Sequence, residues 1–456
     1  MGFFSRSFAL VCGILCLQAS HVWGLAMGPL SDFTDKDRVL VLAPHPDDEA
    51  IAVGGVIQKA IAAGASVRVV LLTSGENNEL SFMVYKKRPV LRPSEILSMG
   101  KMRYAEAIAA VAFLGLSDKD VILLGYPDFG TMDIFKYHWA EARPLRAMLS
   151  RVRAVPYDNA LSPGAPYLGD NILRDLKSVL YAFRPTKVFV SHPADSNRDH
   201  RALYLFLRVA LWDVAKDIPS PEVYPYLVHI TGWPLPRGYR PDLPLSAPVS
   251  LESSAVFWYY CGLGEDELRT KYTAIRRYVS QNKYAPSYLP TFARKNELFG
   301  DYPVLRVTES SQEIESWAYA GQVDGAGIPG RTVRSEDISG LAFARRNGEL
   351  LVKMDLHRKV DKDVSLTLAL LGYSPALEFS MMPKIFLHVS GGELTVRRGR
   401  QRLSGDEVFF VSQEKELHFR IPLSFLGNPD RILVSAKSSR HAMTLDETAW
   451  RVLEFK

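Results

Sequence analysis

Four ionisable side chains in five residues, His45-Pro46-Asp47-Asp48-Glu49, directly follow the apolar run RVLVLA at 38–43. A second cluster, His192-Pro193-Ala194-Asp195-Ser196-Asn197-Arg198-Asp199-His200, follows the run KVFVS at 187–191. Short apolar runs of this kind predict strands buried on both faces. Ligands of open α/β sheets bind at the C-terminal ends of such strands. If the two strands are neighbours, His45, Asp48 and His200 offer two imidazoles and one carboxylate. Three protein ligands with one open position is the pattern of a catalytic zinc site. The same set suits non-haem iron(II) or another divalent metal. Asp47 stands beside these ligands, placed to take a proton from a water that the metal acidifies.

Elements that alternate between strand and helix must position these groups. Strands are expected at 38–43, 66–73, 121–124 and 187–191. Helices are expected at 54–63, 102–114, 171–183, 200–214 and 265–279. Repeated β-α-β units predict a Rossmann-like parallel sheet with helices on both faces. The Pro-rich stretch 234–248 reads as a loop. Beyond about 307 the texture changes to short strands separated by turns such as Asn347-Gly348 and Gly391-Gly392. This predicts a C-terminal all-β sandwich over 308–456.

Composition narrows the choices. The chain has 456 residues, 47% hydrophobic and 23% charged, with net charge +5. That length predicts at least two domains. The charge is too weak to imply a nucleic-acid partner. The runs Lys86-Lys87-Arg88 and Arg397-Arg398-x-Arg400 read as solvated surface. No Gly-rich phosphate loop or GxSxG elbow occurs. Of three cysteines, only Cys261 lies beyond the N-terminal apolar stretch, so no internal disulfide is expected there. Arg6, the apolar run 8–17 and the ending Val22-Trp23-Gly24 form the parts of a signal peptide over 1–24. The expected protein is therefore exported, periplasmic or extracellular, with no membrane span once that segment is removed.

The residues also resemble a family. Ala43-Pro44-His45-Pro46-Asp47-Asp48-Glu49, followed by Gly54-Gly55, is similar to the signature of the PIG-L/LmbE zinc-dependent N-deacetylases. The similarity extends to Leu72-Thr73-Ser74-Gly75-Glu76, to Arg103-x-x-Glu106 with Leu114-Gly115, and to Pro127-Asp128. It continues through Asp195-x-Asn197-x-Asp199-His200-Arg201, Lys271-x-x-Ala274-Ile275-x-x-Tyr278-x-Ser280-Gln281 and Glu297. It covers about 36–305, within an expected deacetylase domain at 25–307. The resemblance implies removal of an acetyl group from an N-acetylglucosamine-type sugar or glycan. His45, Asp48 and His200 would ligate zinc and Asp47 would be the general base. Arg103 and Asp128 would line the sugar site.

One position departs from the family. Several members carry histidine three residues before the last ligand, where it stabilises an oxyanion; here it is Asn197. Either Asn197 supplies only a hydrogen bond, or His192 supplies the lost group at the substrate. Asp195 and Asp199 either orient ligand imidazoles or cap the next helix. Glu49 reads as a structural hydrogen-bond partner. His138, His229, His357, His388, His418 and His441 lack paired spacing and read as structural or surface. Alternative functions are an amidase for another acyl group and a silent glycan-binding protein. In the sandwich, Phe419-Arg420-Ile421-Pro422-Leu423 and Trp450-Arg451-Val452 faintly resemble a carbohydrate-binding module. Trp450 and Val452 share one strand face, Leu453 and Phe455 the other.

Overall fold

The computed structural model describes residues 27–78, 92–140, 142–251, 255–309, 318–320, 337–359, 361–441 and 443–455. The expected signal peptide and Lys86-Lys87-Arg88 lie outside the described residues. Among those described, no helix is long and apolar enough to cross a membrane.

The first sheet contains β1 (Met27–Pro29), β2 (Arg38–Ala43), β3 (Ser66–Thr73) and β4 (Val121–Tyr126). It also contains β5 (Lys187–Ser191), β6 (Glu222–Tyr226), β7 (Phe257–Gly262) and β8 (Asn296–Asp301). Their order is β1-β7-β8-β6-β5-β2-β3-β4. The run β6-β5-β2-β3-β4 is parallel, as the continuous apolar strands require. Expectation and structure part at β8, which is antiparallel to both β6 and β7. Gly262 pairs with Asn296, so the chain leaves β7 and re-enters β8 at the same edge of the sheet. No crossover is needed there.

The helices are α1 (Asp48–Ala62), α2 (Pro93–Phe113), α3 (Thr131–Tyr137), α4 (Gly169–Phe183), α5 (Arg198–Val214), α6 (Glu265–Ile275) and α7 (Val279–Tyr284). Sequence reading started α1 too late, at Gly54-Gly55. The glycines instead lie inside the helix, where a Cβ on Gly55 would collide with Leu263. The N–H groups of Gly55 and Val56 donate to the buried Glu297 carboxylate at 2.7 and 2.9 Å. Lys271 neutralises that carboxylate at 2.6 Å. Three further elements quoted for the family resemblance thus form one buried contact. The single helix expected at 265–279 is instead two, α6 and α7.

The second half holds β9 (Leu305–Val307), β10 (Ala318–Ala320), β11 (Ile338–Arg346), β12 (Glu349–Leu356) and β13 (Val364–Tyr373). Next come β14 (Lys384–Ser390), β15 (Glu393–Arg398), β16 (Gln401–Leu403), β17 (Phe409–Gln413) and β18 (Glu416–Pro422). The chain ends with β19 (Arg431–Arg440), β20 (Met443–Glu447) and β21 (Arg451–Phe455). One sheet runs β10-β11-β12-β18-β17; the other runs β16-β15-β14-β13-β19-β21-β9, with β20 on β19. Apolar side chains between them form a sandwich core.

The larger sheet is buried on both faces. Leu366, Leu368 and Leu370 of β13 enter the sandwich core, while Ala369, Leu371 and Tyr373 join the core of the α/β domain. The same alternation places Leu453 inside the sandwich and Trp450 and Val452 against the α/β domain. Trp450 is only 1% exposed, so its ring does not offer a stacking platform for sugar.

Candidate active site and metal centre

β2 and β5 are neighbours, with Val41 opposite Phe189. Their C-terminal ends therefore bring the two charged clusters together. This is also where the chain turns from building the sheet on one side to building it on the other, the usual ligand crevice of an open α/β sheet.

The β2 end turns into α1 within a few residues. Asp47 occupies the turn with φ 122° and ψ −30°, a backbone state that non-glycine residues rarely adopt. Such a conformation costs on the order of 1–3 kcal/mol and persists only where surroundings enforce it. The enforcing contacts come from α1 itself and from α2. The Asp47 carbonyl accepts from the N–H groups of Ala50 and Ile51 at 3.1 and 2.9 Å. Its N–H donates to Glu49 at 3.1 Å. Arg103, on α2, donates to the carbonyls of Pro46 and Gly75, each at 2.7 Å, and to Asp47 Oδ2 at 2.9 Å. The alternative pairing of Arg103 with Glu106 is not the one formed; Glu106 instead accepts from Ser280.

The ligand candidates converge. Asp48 Oδ2 lies 3.3 Å from His45 Nδ1 and 3.2 Å from His200 Nε2. His45 Nε2 lies 3.2 Å from Asp128 Oδ1 and 3.4 Å from Asp199 Oδ2. One potential ligand atom from each of His45, Asp48, His200 and His229 falls within 4.8 Å of all the others. His200 Nε2 and Asp48 Oδ1 are buried without a well-aligned hydrogen-bond partner. Close approach without hydrogen-bond alignment, around two imidazoles and a carboxylate, fits a divalent cation.

Asp195 holds the outer side of His200, with Oδ2 3.2 Å from Nδ1. It also accepts N–H bonds from Asn197, Val228 and His229 at 2.8–3.0 Å. Asp199 accepts from the N–H groups of Phe129 and Thr131 and from the Thr131 hydroxyl. Both acids thus brace ligand imidazoles, and neither caps α5. The cap is Asn197, whose Oδ1 accepts from Asp199 N–H at 2.8 Å. That bond occupies the Asn197 amide oxygen.

Electrostatics divides the acids. Burial raises the Asp47 carboxyl to about 7, against the lowering effect of Arg103. Burial would also raise Asp48, but His200 and hydrogen bonds from both histidines hold it well below the usual range. Burial lowers the affinity of His200 for a proton, yet Asp195 and Asp48 outweigh it and raise its pKa to about 9. The anionic surroundings of the imidazoles favour positive charge at the same place where ligand atoms converge. Glu49 is buried up to about 8 and accepts from Asp47 N–H and the Tyr278 hydroxyl.

A cavity of about 580 Å³ opens over this cluster. His45, Asp47, Arg103, Asp128 and Asn197 line it, with Asn77, Phe129, Met148, His229, Gln281, Tyr284 and Tyr288 among its other walls. The structure does not bring His192 to it. That ring is wholly buried, stacked on Trp258 at 6.0 Å and tilted against Tyr302. Its Nδ1 accepts from Ala194 N–H, and burial lowers its pKa to about 3. Of the loop that follows, Asn197 lines the cavity.

Sequence reading missed His229. It follows β6, with its ring 4.7 Å from that of His200 and its Nδ1 3.1 Å from the Tyr288 hydroxyl. Burial lowers its pKa to about 4, so the ring is neutral. No second histidine or acid at ligand spacing flagged it. Cys261 is a buried thiol pushed up to about 12 by burial, as an inert core cysteine should be.

The model of the family described as PIG-L, GlcNAc-PI de-N-acetylase, matches residues 40–211. These residues form a PIG-L family domain. The PIG-L segment contains both strand ends and every expected ligand. A 1D-myo-inositol 2-acetamido-2-deoxy-alpha-D-glucopyranoside deacetylase of Mycobacterium sp. (strain KMS) is 30% identical over 218 residues, 46% of this chain and 60% of that relative. The matched part therefore spans about 60% of that relative's length. The N,N'-diacetylchitobiose deacetylase from Pyrococcus horikoshii is 20% identical, covering 58% of this chain and 82% of that one, with TM-score 0.35. A 4-carboxy-2-hydroxymuconate hydratase from Pseudomonas putida KT2440 is 17% identical, covering 60% and 99%, with TM-score 0.34.

Proposed function

We propose that this protein is an exported, metal-dependent hydrolase that removes the acetyl group from an N-acetylglucosamine-type sugar or glycan. The observation that carries the reading is a buried acid, Asp47, facing a cavity directly beside a two-histidine, one-aspartate ligand set. The PIG-L match and the deacetylase names of relatives support the chemistry and the sugar class. Export rests on the charge and hydropathy pattern of the first 24 residues.

His45, Asp48 and His200 would hold the cation, zinc first among the choices. When bound, it would acidify water and polarise the amide carbonyl. The remaining work belongs to the chain. Arg103 occupies Asp47 Oδ2, so Oδ1 is the atom that accepts a proton as the nucleophile forms. A carboxyl raised to about 7 is matched to taking that proton and returning it to the leaving amine. Asn197 lines the cavity, and its amide nitrogen donates to the acyl oxygen as charge grows there. In space, the imidazole absent at position 197 has its counterpart in His229, which reaches the cavity where His192 does not. Asp128 accepts from Asn77 N–H at 2.9 Å and from the cavity side is available to sugar hydroxyls.

The test is acetate release by the purified, zinc-loaded protein from N-acetylglucosamine monomers and oligomers, with and without chelator. Chelator-sensitive release is the expected result. Stoichiometric zinc with no acetate from any of these sugars would defeat the reading, leaving an amidase for another acyl group or a glycan-binding protein.

A further inference from the structure

The sandwich touches the metal-binding half at one unusual place. The chain from the end of β20 to the start of β21 lies against the loop 193–201, which carries Asp195, Asn197 and His200. Trp450 N–H donates to the Pro193 carbonyl at 3.3 Å. Arg201, next to His200 and 5% exposed, donates through Nε to the Asp195 carbonyl. Its Nη1 reaches the Thr448 carbonyl at 3.4 Å and Glu447 Oε2 at 3.4 Å. Glu447 Oε1 lies 3.8 Å from Lys136 Nζ. Lys136 belongs to α3, whose first turn supplies the Thr131 N–H and hydroxyl that hold Asp199. Lys136 also sits 5.3 Å over the Trp450 ring.

One carboxylate of the sandwich therefore ties together two cations from separate elements of the α/β domain. One cation, Arg201, fixes the backbone of the acid behind His200. The other, Lys136, anchors the helix that holds the acid behind His45. Little of the Arg201 side chain meets water, so the charge needs its partner. We propose that Glu447 is a positioning residue for the metal centre: through Arg201 and Lys136 it sets the loop and helix that aim His200 and His45. This rests on the metal-centre reading above. The sandwich is then a working part of the site and not an appended module.

The test uses the full chain and zinc alone. Glu447→Ala should weaken zinc binding, read by chelator competition, by about tenfold, the lower end of what distant partners of a ligand contribute. Glu447→Gln keeps an acceptor for Arg201 and removes the charge, so it should show a smaller loss. If the alanine variant does not fold, the glutamine variant carries the test. In the metal-free protein, backbone hydrogen exchange of residues 193–201 should speed up in both variants. A lower Tm with unchanged zinc affinity and unchanged exchange in 193–201 would overturn the proposal, since that is what a merely structural contact gives. Wild-type protein that binds no zinc would instead strike the metal-centre reading and take this inference with it.

Discussion

Residues 44–49 and 192–200 leave adjacent strands at the same edge of one sheet, yet they are held in place by different means. The first segment is short and makes its backbone bonds mostly nearby. Asp47 accepts from two N–H groups of its own helix and donates to Glu49 two residues on, and Arg103 of α2 adds bonds to Pro46 and Asp47. The second is held from a distance. Asp195 gathers N–H groups from Val228 and His229, and Arg201 reaches Thr448 and Glu447 across the domain boundary. Asp47, the proposed base, thus sits on the stiffer, more local end, and His200, a proposed ligand, on the end whose geometry depends more on the rest of the molecule. Local strain suits an acid that must keep one orientation. Distributed support suits a ligand whose imidazole needs an outer partner to fix its tautomer.

The comparison can be broken by substitution at either end. The largest effect is expected for His200→Ala, which should lose stoichiometric metal and all activity; metal retained at full stoichiometry by elemental analysis would remove His200 from the ligand set. Asp47→Asn should keep its metal but lower kcat by about 10²–10⁴-fold. Full turnover in that variant would separate the strained turn from the chemistry. Asp195→Asn, on the supported end, should weaken zinc binding by about 10–100-fold. An affinity equal to wild type would show that His200 does not need its outer carboxylate.

Smaller effects come from pH. Glu49 has its folded pKa raised to about 8 by burial, above its ordinary 4.5. Between those values the native state binds more protons than the unfolded chain, so this group makes stability fall as pH rises. Glu49→Gln should therefore flatten the decline in Tm of metal-free protein between about pH 5 and pH 8. Lys384, at the boundary with the sandwich, has the opposite sign. Burial lowers its pKa to about 7 from 10.5. Between those values the unfolded chain binds more protons, so stability rises with pH, and the cost of burying the charge is greatest below about pH 7. Lys384→Met should remove that rise, measured as Tm at pH 6 against pH 9. A wild-type Tm that does not change across this range would show that Lys384 stays charged on its carbonyl partners, Phe379 and Met382.

The same contrast explains what could be read from the sequence. Strands β2, β3 and β5 begin and end where their apolar runs do, because strands buried on both faces are written as unbroken apolar segments. The stiff end was legible for the same reason: its ligands and its acid are neighbours in the chain. His45, Asp47, Arg103, Asp128 and Asn197 line one cavity, and Asp48 and His200 are buried beside His45. What escaped depends on distance. His229 is a lone histidine after a half-buried strand, and only the pairing of β6 with β5 carries it to His200. His192 looked equivalent to its neighbours, but whether it points to the cavity or to Trp258 is decided by how β7 packs behind it. Gly54-Gly55 reads as the start of a helix, whereas its meaning lies in Leu263 and Glu297, more than two hundred residues later. β8 was missed because its place between β7 and β6 and its antiparallel direction follow from where α6 and α7 return the chain.

The two-faced sheet of the sandwich has a consequence for synthesis. Strands β13, β14, β19 and β21 send alternate side chains into the α/β domain, and Phe379 closes over the aromatic group of Phe135, Trp139 and Phe206. As the chain emerges from the ribosome, residues 1–304 are complete before any of that cover exists. Their apolar wall gains its cover only as β13, β14, β19 and β21 follow. Removing β21 would uncover the part of that wall where Val452 packs.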